Sequence, residues 1–328
     1  MNYNYNLLKI KIVKRFPILG KWLSTNWGLL IEPLKEEDYV FGASPLDKKI
    51  LQPDSNWGQF LPIPERQSGR YLETMACTCF SALNVLEILF KKKYGQNKNF
   101  SDRFLAKMSR VSYNGNTQSR VLDTIRKIGL VDEADYPSQM DDFNWNEYYK
   151  AIPQNIIDKA LTFVNDWEVG YEAIMPTVTA MREALKYSPL YCAGYAWYNR
   201  GGLYYSLGSP NHCFIIYTIE QAITYKRAFD SYEPYLKKLA ANYAIYYPKL
   251  ITLNKRGEKY NVNEIRNLMN RGLLYIMRVL GNGEIYRLDG NKLTYVSPEE
   301  WNNINVRLSA DQKKLIGINE EVYNKLLI

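Results

Sequence analysis

Thr74-Met75-Ala76-Cys77-Thr78-Cys79-Phe80-Ser81-Ala82-Leu83-Asn84-Val85-Leu86-Glu87-Ile88-Leu89-Phe90 is the stretch from which the rest of the chain is read. Apolar side chains surround most of it, and only a narrow polar line runs through Ser81, Asn84 and Glu87. A helix of that pattern is buried and central. Thr74 is a good N-cap residue, and with it as the cap Cys77 falls in the first turn. There, unpaired backbone N–H groups and the helix dipole favour an anion, so a thiol is drawn towards thiolate. The competing reading is that a free cysteine is simply a small buried hydrophobe.

Length and composition narrow the alternatives. With 328 residues, 46% of them hydrophobic and 23% charged, the chain can bury a full core and carry an appendage. It contains no apolar run long enough to cross a membrane, and its start lacks the pattern of a signal peptide. The four cysteines, Cys77, Cys79, Cys192 and Cys213, follow neither disulfide-framework nor zinc spacing. They suit a reducing compartment, such as a host cytoplasm or a virion-associated location. His212 is the single histidine, so a multi-histidine metal site is excluded, and neither metal nor cofactor is expected.

Charge is unevenly spread. The net +8 includes five basic residues, Lys9, Lys11, Lys14, Arg15 and Lys21, in a first stretch of 22 residues without an acid. No recognition motif accompanies them, so nucleic acid is not indicated as a partner. Residues 1–56 read as a basic extension. It holds an alternating strand-like run at Leu8–Ile12 and aromatic anchors at Phe16, Trp22 and Trp27, more apolar surface than a disordered tail carries. Such an arm should pack, either across its own domain between Cys77 and Gly115 or on an assembly partner.

The order of elements is helices first and strands second. After the central helix, closed by Lys91-Lys92-Lys93 and Gly95, helices are expected at Ser101–Ser109, Gln118–Ile128 and Ile156–Trp167. The character changes at Thr179, after which apolar and aromatic runs at Pro189–Trp197, Asn211–Tyr217 and Lys226–Tyr232 read as strands. This is an α+β pattern with two lobes, assigned to residues 57–250. Residues 251–328 read as a small accessory module. It has a three-stranded meander, Leu273–Leu280, Glu284–Asp289 and Lys292–Val296, and a helix capped by Ser297.

His212 follows Cys77 by 135 residues, and Asp230 lies 18 further on. Taken alone, a strand histidine is commonly a structural, hydrogen-bonded one. The order of thiol, imidazole and carboxylate is nevertheless that of nucleophile, base and orienting group.

Several motifs in chain order then resemble the papain-like cysteine peptidases of the C1 type. Cys77-Thr78-Cys79-Phe80-Ser81-Ala82 is similar to that family's Cys-Trp-Ala-Phe-Ser-Ala. Tyr113-Asn114-Gly115-Asn116 resembles its glycine-rich substrate loop, and Gly129–Pro137 its Gly-Ile…Tyr-Pro. Tyr198–Tyr204 is similar to Tyr-x-Gly-Gly-Ile-Tyr, Asn211-His212 to the histidine motif, and Asp230-Ser231-Tyr232 to Asn-Ser-Trp. The likeness covers residues ~60–250.

The resemblance implies a papain-like fold and hydrolysis of a protein or peptide substrate through an acyl-enzyme. It assigns Cys77 as nucleophile, His212 as base and Asp230 as ring-orienting group. Gly115, Asn116, Asn211 and Tyr232 border the substrate, with Tyr232 shielding the His212–Asp230 bond. The family's oxyanion-hole glutamine stands six residues before the cysteine, where this chain has Tyr71. Gln67, ten before, is the candidate if the loop is longer by four residues. Thr78 replaces the family's tryptophan, and Asp230 its asparagine. The alternative is a catalytically inert papain-like fold acting as a structural or assembly protein, for example a phage virion component, contacting partners through the arm or the C-terminal module.

Overall fold

In the computed structural model the described residues are 28–32, 41 and 50–256 except 139, 221 and 223, together with 276–279, 285–289, 292–297, 299–300, 303 and 315–318. The strand expected at Leu8–Ile12, the three aromatic anchors and most of the basic arm lie outside them.

The central helix, α1, runs Cys77–Tyr94, and every residue from Cys77 to Phe90 is buried, the polar line included. Two of its polar groups have partners across the core: Glu87 accepts from the Phe100 N–H at 2.9 Å, and the Thr78 carbonyl accepts from the Tyr191 hydroxyl at 2.8 Å. Gly95 closes the helix in the left-handed conformation, φ 65°, directing its N–H to the Phe90 carbonyl. Thr74 is not the cap. Ala76 holds that position without a side-chain bond, while the Thr74 hydroxyl donates to the Gln67 carbonyl at 2.8 Å and faces the Ala76 N–H at 3.3 Å. The threonine ties the preceding loop to the helix start, and this use outcompetes capping.

Around α1 pack α2 (Asp102–Met108), α3 (Gln118–Ile128), α4 (Trp145–Tyr148) and α5 (Gln154–Asp166). Ser101, Thr117 and Asn144 cap the first three through their side chains. A further short helix, α6, spans Val178–Ala184.

The other lobe is an eight-stranded sheet. Its strands are β1 (Trp167–Ala173), β2 (Leu190–Gly194), β3 (Tyr198–Arg200), β4 (Leu203–Tyr205), β5 (His212–Ile219), β6 (Lys226–Phe229), β7 (Leu236–Leu239) and β8 (Tyr246–Lys255). Their order is β1-β8-β2-β5-β6-β7-β4-β3. Central strands β2 and β5 are almost wholly buried, and α1 packs on β5, so one core joins helices and sheet.

Two expectations change here. The first strand begins at Trp167, not after Thr179, and the boundary expected at residue 250 falls inside β8, whose Ile251–Lys255 pair with β1. Both strands depend on a partner about 80 residues away in the chain, which local periodicity does not report.

The C-terminal part contains β9 (Ile276–Val279), β10 (Ile285–Asp289), β11 (Lys292–Val296) and β12 (Leu315–Ile318), in the order β11-β10-β9-β12. The expected meander is its antiparallel portion, and β12 adds a fourth strand parallel to β9. The Ser297 hydroxyl accepts from the Glu300 N–H at 3.2 Å, as a capping serine does. Among the described residues no helix is long and apolar enough to cross a membrane, and no group of side chains is placed to hold a metal.

Candidate active site

Cys77 occupies the first position of α1, where its N–H has no carbonyl one turn earlier to bond. It is fully buried, in a helix that packs on β5, the strand that His212 opens. The expectation of a thiol drawn towards thiolate does not hold in this state. Burial pushes the Cys77 thiol well up, Cys213 and Asp230 add to that, and only the Cys213 N–H opposes it. All four cysteines are free and buried, and burial also raises Cys79, to about 12.

His212 opens β5 opposite Gly194 of β2, and Asp230 directly follows β6. The imidazole Nε2 meets Asp230 Oδ1 at 2.6 Å, with both side chains fully buried. That contact makes Nδ1 the nitrogen that would exchange a proton with a thiol. Asn211 sets the entry to the strand: its N–H donates to the Gly194 carbonyl at 3.0 Å and its Oδ1 accepts from the Ala196 N–H at 2.9 Å. The rings of Tyr232 and Trp197 lie 5.3 and 5.6 Å from the imidazole, the latter edge-on, and help to exclude water from the pair. Burial raises Asp230, but His212 and Lys237 outweigh it and hold the carboxyl below its ordinary value.

Lys237 escapes a reading by sequence. Its ammonium is buried and donates to Asp230 Oδ2 at 2.7 Å and to the Tyr232 and Pro234 carbonyls at 2.6 and 2.7 Å. The signal that could have exposed it is inverted polarity: β7 leaves Leu236 exposed and turns Lys237 inward.

Gln67 is brought to the same place by the longer loop. Its N–H donates to the Ser231 carbonyl at 3.2 Å, and the Ser231 hydroxyl donates to its Oε1 at 2.7 Å. Its Nε2 donates to Tyr232 Oη at 2.7 Å and to Glu73 Oε1 at 2.9 Å, while Tyr232 Oη donates to Glu73 Oε2 at 2.7 Å. The extra loop residues therefore bring a carboxylate that takes up one proton of the glutamine amide directly and holds the tyrosine hydroxyl that takes up the other. Glu73 is a second site residue with no local sequence signal.

Gly115 and Asn116 border a chain segment, not an open groove. Gly28–Glu32 runs along them as a strap: Leu29 forms a parallel bridge with Asn116, the Asn116 N–H donates to the Gly28 carbonyl at 2.9 Å, and the Leu30 N–H donates to the Asn116 carbonyl at 2.8 Å. Glu32 anchors the far end by accepting from the Ser119 N–H at 2.6 Å and from its hydroxyl. Gly28 has φ +104°, and a Cβ there would fall 2.4 Å from the Met75 carbonyl oxygen and 3.1 Å from Cys77 Sγ. The strap therefore lies directly over the thiol. Gly115, φ +91°, meets it so closely that a Cβ would overlap the Gly28 backbone.

No protein-family model matches this chain, and no curated protein sequence does. Solved structures do. Xylellain, a cysteine protease from Xylella fastidiosa, superposes with a TM-score of 0.51 at 12% identity over 70% of this chain and 96% of that one. The cysteine protease and lectin-like domains of Cwp84, a surface layer associated protein of Clostridium difficile, give 0.51 at 13% identity over 79% of this chain and 61% of that one. The chain thus has a papain-like α+β fold, as its motifs imply.

Proposed function

We propose that this chain is a thiol-dependent peptidase working through Cys77, His212 and Asp230, and that the strap holds it latent. The observation carrying this reading is the buried 2.6 Å His212–Asp230 pair, with Cys77 at the N-terminus of the central helix close enough for the Asp230 charge to act on it.

In the proposed reaction His212 Nδ1 takes the proton of Cys77, and the helix N-terminus favours the thiolate. Sγ attacks a peptide carbonyl, and the Cys77 N–H and the Gln67 amide receive the oxyanion. The imidazolium returns its proton to the leaving amine. Water then adds to the acyl-enzyme, giving a proton to Nδ1, and the thiolate departs from the free acid. Asp230 keeps the ring in register throughout. Asn116, whose backbone N–H and carbonyl hold the strap, would hold an extended peptide by the same bonds once the strap has left, and Gly115 would leave room for its backbone.

The expected test result is that a thiol-directed epoxide labels Cys77 in a chain freed of its strap, and that His212→Ala in that chain abolishes the labelling. Labelling that survives the His212 change, or no labelling in a chain freed of its strap, would sink this reading and leave the inert-fold alternative. A second result concerns the oxyanion. For Gln67 to serve, its amide must exchange Glu73 for the substrate oxygen. Gln67→Ala should lower turnover by ~10²-fold or more while labelling persists, as for other oxyanion-hole donors. Equal turnover removes Gln67 from the mechanism.

A further inference from the structure

Asp230 has two occupied oxygens. Oδ1 meets His212 and Oδ2 meets Lys237, each at under 3 Å and all three side chains away from water. Lys237 spends each of its three N–H donors, on Asp230 and on the Tyr232 and Pro234 carbonyls, and its ammonium lies 4.8 Å from the Trp197 ring centroid. An ammonium so enclosed, with two carbonyls and a carboxylate as acceptors, is positioned to carry its charge. Lysine is rarely put in such a place for stability alone, because a buried pair roughly repays its own desolvation.

The line of groups suggests what the lysine does. With the thiolate formed, the buried charges read Cys77 negative, His212 positive, Asp230 negative and Lys237 positive. Without the lysine, a second uncompensated anion would face the sulfur, and Asp230 already opposes ionisation of that thiol. Among the described residues, the other titratable groups facing the pair include Tyr232, bonded to Glu73, and Tyr243, whose hydroxyl is engaged by the Tyr195 carbonyl. Neither supplies a cation.

We propose that Lys237 is a positioning residue that cancels the Asp230 charge, so that the carboxylate orients the His212 ring without repelling the Cys77 thiolate. This rests on the peptidase reading for its purpose, but the charge pairing can be measured without turnover, because the chain has one histidine and hence one imidazole to follow by NMR.

In the full chain, Lys237→Met should move the His212 titration midpoint up by about one pH unit, since an unbalanced carboxylate favours the imidazolium. The pH at which Cys77 alkylation reaches half its maximal rate should rise with it. The double variant Asp230→Asn with Lys237→Met removes both charges and should bring the alkylation midpoint back towards the parent value. Coincident titrations of parent and Lys237→Met, or a double variant whose alkylation follows the single one, would overturn the proposal. Should Lys237→Met not fold, the double variant is expected to fold, and Lys237→Arg to match the parent. A double variant as unstable as the single one would show that the lysine serves packing alone and would also overturn it. The midpoint shift in Lys237→Met beside a parent protein that hydrolyses no peptide would remove the peptidase reading and leave the charge pairing in place.

Discussion

A chain shortened by residues 1–40 is expected to cleave a quenched peptide about 10- to 1,000-fold faster than the full chain. The size follows from the fraction of molecules whose cleft is open: a closed state favoured by a few kcal/mol leaves about 0.1–10% competent, and removing it restores the rest. The deletion stops short of the next segment deliberately. The Phe41 N–H bonds the Ala173 carbonyl, those of Leu51 and Gln52 bond Lys186, and Trp57 is fully buried with its indole N–H on the Leu185 carbonyl. Removing these contacts would mix loss of the strap with loss of the fold. Gly28→Ala tests the same idea in the full chain, because the added Cβ has no room against Met75 and Cys77 and the φ of +104° is strained for alanine. Both changes should also lower the pH at which Cys77 becomes reactive. Burial is the largest cause raising that thiol, and lifting the strap readmits water. Unchanged rates in both variants would leave the latent state without support.

Cys77→Ala should abolish hydrolysis, by about 10³-fold or more, because the nucleophile has no substitute in the pathway. Cys79→Ala should leave turnover near the parent level. Its sulfur lies on the other side of the helix, 3.5 Å from the Ser109 hydroxyl, and has no part in the proposed triad. Circular dichroism of the two variants separates catalysis from folding, and peptide cleavage retained in Cys77→Ala would dismiss the assigned nucleophile.

Comparing sequence with structure shows where each kind of information resides. A strongly apolar, locally periodic segment such as Cys77–Phe90 announces a buried helix, and its partners only confirm what its composition requires. Gln118–Ile128 is equally local, with Thr117 as cap and Gly129 at its end. The order and spacing of Cys77, His212 and Asp230 were legible because motif and flanking turns repeat a known arrangement, and the His212–Asp230 contact follows from strands β5 and β6 being neighbours.

What no local pattern reports are groups whose meaning comes from distant partners. The pairing of β1 with β8 joins residues 167–173 to 249–255, and neither strand is distinctive alone. Glu73 is an ordinary loop acid until Gln67 and Tyr232 converge on it, and Lys237 one of two adjacent lysines until β7 turns it towards Asp230. The Cys77 thiol differs most. Its helix position alone favours ionisation, yet the strap from residues 28–32 closes over it and burial reverses the sign. Sequence determined the identity and order of the proposed reactive groups, because those depend on side-chain chemistry. Only tertiary structure decided their protonation and access, because desolvation is a property of everything packed around a group and not of the group itself.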